Sequence, residues 1–214
     1  MEQFGFDRLI DIPESQLVRA IYDDRLLIGS VGIPPQMRWP VQFRLGVLPA
    51  QLRLAPSAFG DADGVLLESH NAHLARAVEY KRVKISANSY HTGQINKLQE
   101  LAKAAHQANA LHRAGFAFVW LTIIVVADTR PLTGGQGFAA PPGEMIARVR
   151  DAIPLSDLAP AVGVSVCQVA QVSDRPANER GGAGGQMLRG AMQQVQPPAL
   201  TGAIADLFSR PITT

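Results

Sequence analysis

An α/β (α+β) fold built on a mixed central β-sheet flanked by helices is predicted by three features of the sequence. Phe116 to Ala127 is an unbroken apolar run rich in Val, Ile, Phe and Trp, the signature of a strand buried on both faces. Residues 93–113 contain no proline and space Ile95, Leu98, Leu101, Ala105 and Leu111 at near-helical intervals, ending at Gly115. Ahead of them, Gly64 to Glu68 and Leu74 to Ile85 read as two strands joined by the polar turn Ser69 to His73.

In chain order, Asp11 and Pro13 mark a helix start, and Leu17, Ile21, Leu27 and Ile28 give an amphipathic helix over 14–28. Proline and glycine punctuate residues 29–62, leaving loops and one strand-like run from Trp39 to Leu48. The hairpin, the helix and the apolar strand follow. A Gly/Pro loop over 128–141, a short helix from Pro142 to Ile153 and a strand from Val162 to Val172 complete the body. The resulting order, α-β-β-β-α-β and then α-β, implies helices on the faces of a mixed sheet. Residues 1–172 are expected to form one domain with its core in 60–127. The extension 173–214, with Gly181-Gly182-Ala183-Gly184-Gly185 and Pro197-Pro198, is read as a flexible linker followed by a docking segment at Leu200 to Phe208.

Length and composition narrow the function. With 214 residues, 47% of them hydrophobic, the chain can bury a real core. Its longest apolar run, 116–127, falls well short of the roughly 20 residues a membrane-crossing helix needs. Acids mixed into the first residues argue against a secretory leader, so a cytoplasmic protein is expected. Cys167 is the sole cysteine, which excludes an internal disulfide and a multi-cysteine zinc cage and suits a buried inert thiol.

Net charge is +2 but unevenly placed: −3 over residues 1–73, +5 over 74–115 and 0 over 116–214. All four lysines, Lys81, Lys84, Lys97 and Lys103, fall in the middle block. A local positive surface of this kind is the electrostatic footprint of a phosphate-backbone binder, although a solvated strand edge and helix face would produce the same cluster.

Within that block Glu79 and Lys81, two apart on one strand, project to the same face. A carboxylate and an ammonium in mid-sheet are costly unless they pair, bind a metal or open into a cleft. The turn at Ser69 to His73 folds Asp63 back beside Glu79, so two carboxylates converge. Hard oxygen ligands in small number suit Mg²⁺ (or Mn²⁺), which keeps water and substrate phosphate in its shell. Such an ion acidifies bound water and neutralises a scissile phosphate, with Lys81 orienting the water or stabilising developing charge.

Asp63, followed by Glu79-Tyr80-Lys81 in a hydrophobic strand and then a helix and a further apolar strand, resembles the PD-(D/E)XK nuclease superfamily. That superfamily includes restriction endonucleases, Holliday-junction resolvases and RecB-like exonucleases. The resemblance covers about residues 60–127. It implies a restriction-endonuclease-like sheet flanked by helices and Mg²⁺-dependent hydrolysis of DNA, with Asp63 and Glu79 as metal ligands and Lys81 as the catalytic lysine. Gln94, near the start of the following helix, matches the glutamine of RecB-like members, although Leu98 stands where their tyrosine would be. Glu14 stands on the first helix where some members carry an acid. No proline precedes Asp63, and Asp61 remains an alternative ligand. Arg82, Lys84, Lys97 and Lys103 are then candidates for DNA backbone contacts, with Arg82 and Lys84 on the strand face opposite the acids. A homodimer fits the restriction-type members. The competing expectation is a nucleic-acid-binding or assembly module without turnover, in which Lys81 pairs with Glu79 and Asp63 points away.

Other motifs carry less. Gly135-Gln136-Gly137-Phe138-Ala139-Ala140 matches a dinucleotide-binding pattern but lies too far past its strand. His70 and His73 fall in the hairpin turn, and a zinc site shared with His91 is not expected. Ser165 sits inside an apolar strand without a nucleophile elbow. Tyr80 faces away from Glu79 and is expected to pack in the core.

Overall fold

The computed structural model describes residues 9–23, 31, 34, 37–38, 40–133, 140–171 and 182–211. A helix, α1 (Glu14–Asp23), leads into strands β1 (Val41–Val47), β2 (Ala62–Glu68) and β3 (Arg76–Ile85). Helix α2 (Leu101–Ala114), strand β4 (Phe118–Asp128), helix α3 (Gly143–Asp151), strands β5 (Gly163–Gln171) and β6 (Gly182–Arg189) and helix α4 (Pro198–Ser209) follow. The strands form one sheet in sequential order. β1, β2 and β3 are an antiparallel meander, β3, β4 and β5 run parallel, and β6 returns antiparallel. The mixed sheet with flanking helices is the expected α/β (α+β) architecture. Among the described residues no helix is long and apolar enough to cross a membrane.

The period-two alternation of the strands sends alternate residues to two cores. One face carries Val65, Ala77, Val83, Leu121, Ile123 and Val166, covered by α2, α3 and α4. The other carries Leu66, Val78, Tyr80, Trp120, Ile124 and Cys167, covered by α1. β4 is buried from Val119 to Asp128, as its continuous apolar run predicts for a central parallel strand. Tyr80 lies in the α1-side core, its hydroxyl 2.6 Å from that of Tyr22. Cys167 is buried beside them, and burial raises its thiol to about 11 against the weaker pull of a bond to Ser165. Gly163 lets the Trp120 ring lie against the β5 backbone. A Cβ there would come within 2.7 Å of the ring and 2.8 Å of the Ala191 amide nitrogen.

Two segments depart from the sequence reading. The expected helix over 93–113 begins only at Leu101, after a 3-10 turn at Leu98–Glu100. Asn96 forms an isolated antiparallel bridge to Lys84, and Lys97 takes a left-handed φ of 69°, so sheet pairing has overridden helical spacing. Ile95 and Leu98 still pack on the core, which is why the periodicity ran on without a helix. The glycine-rich stretch is no linker in its described part: Gly182–Arg189 pairs with β5, and α4 buries Leu200, Ala203, Ile204 and Leu207 in the main core. Extension and body therefore share one sheet and one core. Residues 24–28, the motif 135–139 and residues 173–181 lie outside the described residues.

Candidate active site

The site is set by where the β2–β3 ladder stops. Its last pair is Gly64↔Val78, and one step further the antiparallel register puts Asp63 across from Glu79, on the same face of the sheet. The closed end of the hairpin is locked by Arg76 and Glu68, 3.3 Å apart, with the guanidinium over the Phe118 ring. At the open end β3 outruns its partner while remaining paired to β4 as far as Ile85.

An overhanging strand edge leaves backbone donors to be satisfied. The Tyr80 N–H donates to Asp63 Oδ2 at 2.7 Å, and the Arg82 N–H donates to Glu14 Oε2 at 2.5 Å. Two carboxylates thus replace the missing strand and are fixed by the backbone they cap. Gly46 of β1, at φ 60°, stands across β2 from Asp63, and a Cβ there would meet no atom within 4 Å, so that flank is open.

The electrostatics follow from burial. Glu79 is 3% exposed, and its Oε2 is buried without a hydrogen-bond partner. Desolvation, reinforced by Asp63 and only partly offset by Lys81, raises its carboxyl from 4.5 to about 9. Desolvation likewise raises Asp63 from 3.8 to about 6, with the Tyr80 N–H pulling the other way and Glu14 and Asp61 adding to the rise. The Lys81 ammonium bridges Glu14 at 3.2 Å and Glu100 at 3.6 Å. Burial works against that charge, but Glu14, Glu100 and Glu79 outweigh it and hold its pKa above the ordinary value.

Asp63 lies across from Glu79 with Lys81 two residues further on, the three residues the sequence reading brings together, and Glu14, read there only as standing where some members carry an acid, pairs with Lys81. Asp63 is the inward residue, bonded to β3, whereas Asp61 is exposed ahead of β2 and acts on Glu79 and Asp63 through its charge. Gln94 departs from its expected place: it is an exposed loop residue before α2, its backbone N–H donating to Thr92 Oγ1. The residue that reaches Lys81 from the start of α2 is instead Glu100. The sequence carried a signal for it, since Glu79 and Glu100 are the only acids in the basic block 74–115.

The basic candidates divide. Arg82 donates to the carbonyls of Ile10 and Ile12, and Lys84 pairs with Asp11 at 2.7 Å, so both are spent on the segment before α1. Lys97 lies 3.9 Å from Glu100, and Lys103 is exposed on α2. His73 and His91 lie beyond opposite ends of β3, a strand spanning about 33 Å, so the imagined zinc site does not assemble.

Among the described residues no three His, Cys, Asp or Glu side chains are grouped as a ready-made metal cage. Mg²⁺ does not require one, because it takes one or two carboxylates with water and phosphate. Asp63 and Glu79, the latter with a buried oxygen that has no hydrogen-bond partner, are the residues that could hold a hard divalent ion. No family model matches the chain, and no characterised protein matches it in sequence.

Proposed function

We propose that the protein is a metal-dependent nuclease that hydrolyses DNA phosphodiester bonds. The observation that carries the reading is Glu79: a carboxylate buried in mid-sheet, one oxygen without a partner, set across from Asp63 and two residues from Lys81 at an open strand edge. A site that holds such an arrangement against its desolvation cost has a use for it. Asp63 and Glu79 are the residues to hold Mg²⁺ or Mn²⁺, with Glu14 beside them. The ion, when bound, supplies charge neutralisation at the phosphate and acidifies a bound water. Lys81 then acts from the same face: its ammonium, 13% exposed in its side chain, orients the attacking water or stabilises the charge that develops on the phosphate. Glu14 and Glu100 keep it protonated and aimed.

The competing reading, a binding or assembly module without turnover, calls for Lys81 paired with Glu79 and Asp63 turned away. Lys81 instead pairs with Glu14 and Glu100, and Asp63 is bonded to β3 beside Glu79, an arrangement that favours the nuclease. The test is incubation with linear, circular and branched DNA and Mg²⁺ or Mn²⁺, alongside Glu79→Ala and Lys81→Ala. Cleavage by the wild type and its loss in both variants is expected. Cleavage that survives both substitutions overturns the site, and no cleavage of any substrate favours the binding module.

A further inference from the structure

We propose that the outward row of α2 is a phosphate rail that carries one DNA strand away from the site; the inference takes its substrate from the nuclease reading. Lys103, His106 and Arg113 are exposed and stand at i, i+3 and i+10 along α2, a spacing that puts them in one row, with the partly buried Ala110, between the last two, packed against the core. No Asp or Glu occurs in the helix.

Helix stability accounts for Arg113, which lies in the last turn where the macrodipole favours a cation, but not for Lys103. Lys103 lies in the first turn, where the macrodipole opposes a cation. Its neighbours one turn away are Gln99, Glu100, His106 and Gln107, and the one acid among them is turned to Lys81 and Lys97. Among the described residues neither Lys103 nor Arg113 has an ion-pair partner, whereas Arg82 and Lys84 are consumed internally. The row also begins at the site, since Glu100, the residue immediately before α2, touches Lys81. From Lys103 to Arg113 it rises about 15 Å. That length is enough to meet more than one phosphate of a single strand.

The measurement is fluorescence anisotropy with a labelled DNA duplex of about 30 base pairs, longer than the rail. It is titrated against salt in EDTA so that no bond is cut. Binding by the wild type should weaken linearly on a log–log plot. Lys103→Ala and Arg113→Ala should each reduce the slope by about 0.9, and Lys103→Arg should restore it. Arg19→Ala, exposed on α1 at the opposite face of the sheet, is the control and should leave the slope unchanged. An unchanged slope in the Lys103→Ala/Arg113→Ala double variant, or an equal loss in Arg19→Ala, overturns the rail. Rail-dependent binding by a wild type that never cuts in Mg²⁺ overturns the nuclease reading and leaves the rail standing. Cleavage accompanied by rail-independent binding does the reverse.

Discussion

Replacing Glu79 by glutamine should stabilise the metal-free protein while abolishing cleavage. In the unfolded chain the carboxyl ionises near its ordinary 4.5, whereas in the native site burial and Asp63 hold the proton on until about 9. Between those limits the unfolded state binds fewer protons than the native state. Native stability therefore falls as pH rises, by about 1.4 kcal/mol per unit for this one group. By pH 7 the loss amounts to about 3 kcal/mol. Glutamine has nearly the same shape and cannot titrate, and its amide can donate toward Asp63. The variant should match the wild type near pH 5 and exceed it by about 2–3 kcal/mol at pH 7, or about 5–10 °C in Tm for a chain of this size. Urea unfolding followed by fluorescence is suited to the measurement, since the fully buried Trp120 packs in the α1-side core. Mg²⁺ should narrow the gap by stabilising the wild type alone, because only the glutamate completes the donor set. A Glu79→Gln protein less stable than the wild type at pH 7 in EDTA, or a difference that does not grow with pH, would refute the account of this carboxylate as a strained metal ligand.

Other substitutions separate structural from chemical roles. Glu14→Ala removes the acceptor for the Arg82 N–H and a partner of Lys81; thermal melts should register a loss of about 1–3 kcal/mol, against under about 1 kcal/mol for Lys84→Ala at its exposed pair with Asp11. Tyr22→Phe removes the 2.6 Å bond between the Tyr22 and Tyr80 hydroxyls and should cost about 1 kcal/mol in denaturant titration. Gly163→Ala, which drives a methyl into Trp120, should cost about 1–3 kcal/mol and shift the tryptophan emission, while Gly184→Ala, with open space about its Cα, should be near neutral by the same assay.

What the sequence disclosed depended on whether local pattern and tertiary pairing agreed. β3 and β4 were legible because each consists of residues that fit a pleated, buried surface, and the hairpin put Asp63 opposite Glu79 by turn position alone. The start of α2 was not, because the bridge from Asn96 to Lys84 takes the backbone of that stretch into the sheet edge without disturbing its hydrophobic spacing. β6 was hidden for a different reason. Its glycines carry no strand propensity, and it forms an edge strand through backbone pairing with β5. Because the helix begins only at Leu101, Gln94 falls in the loop before it and Glu100, not Gln94, stands at the helix start.

The truncated ladder and the chemistry have one cause. Had β2 continued to pair with β3 past Val78, the Tyr80 and Arg82 N–H groups would be satisfied by backbone carbonyls, and a carboxylate at 63 or 14 would have no structural reason to be there. Because the ladder stops, those donors recruit Asp63 and Glu14, and donors fixed in a parallel sheet position acids more rigidly than a loop could. The recruited charges then raise the cost of Glu79 between them, a cost that Lys81 only partly offsets. A single divalent cation would relieve that repulsion and satisfy the orphaned oxygen together. If the protein binds a divalent ion as proposed, its stability without metal and its affinity for the ion are linked through Glu79, and substitutions that relax the site should weaken metal binding in proportion.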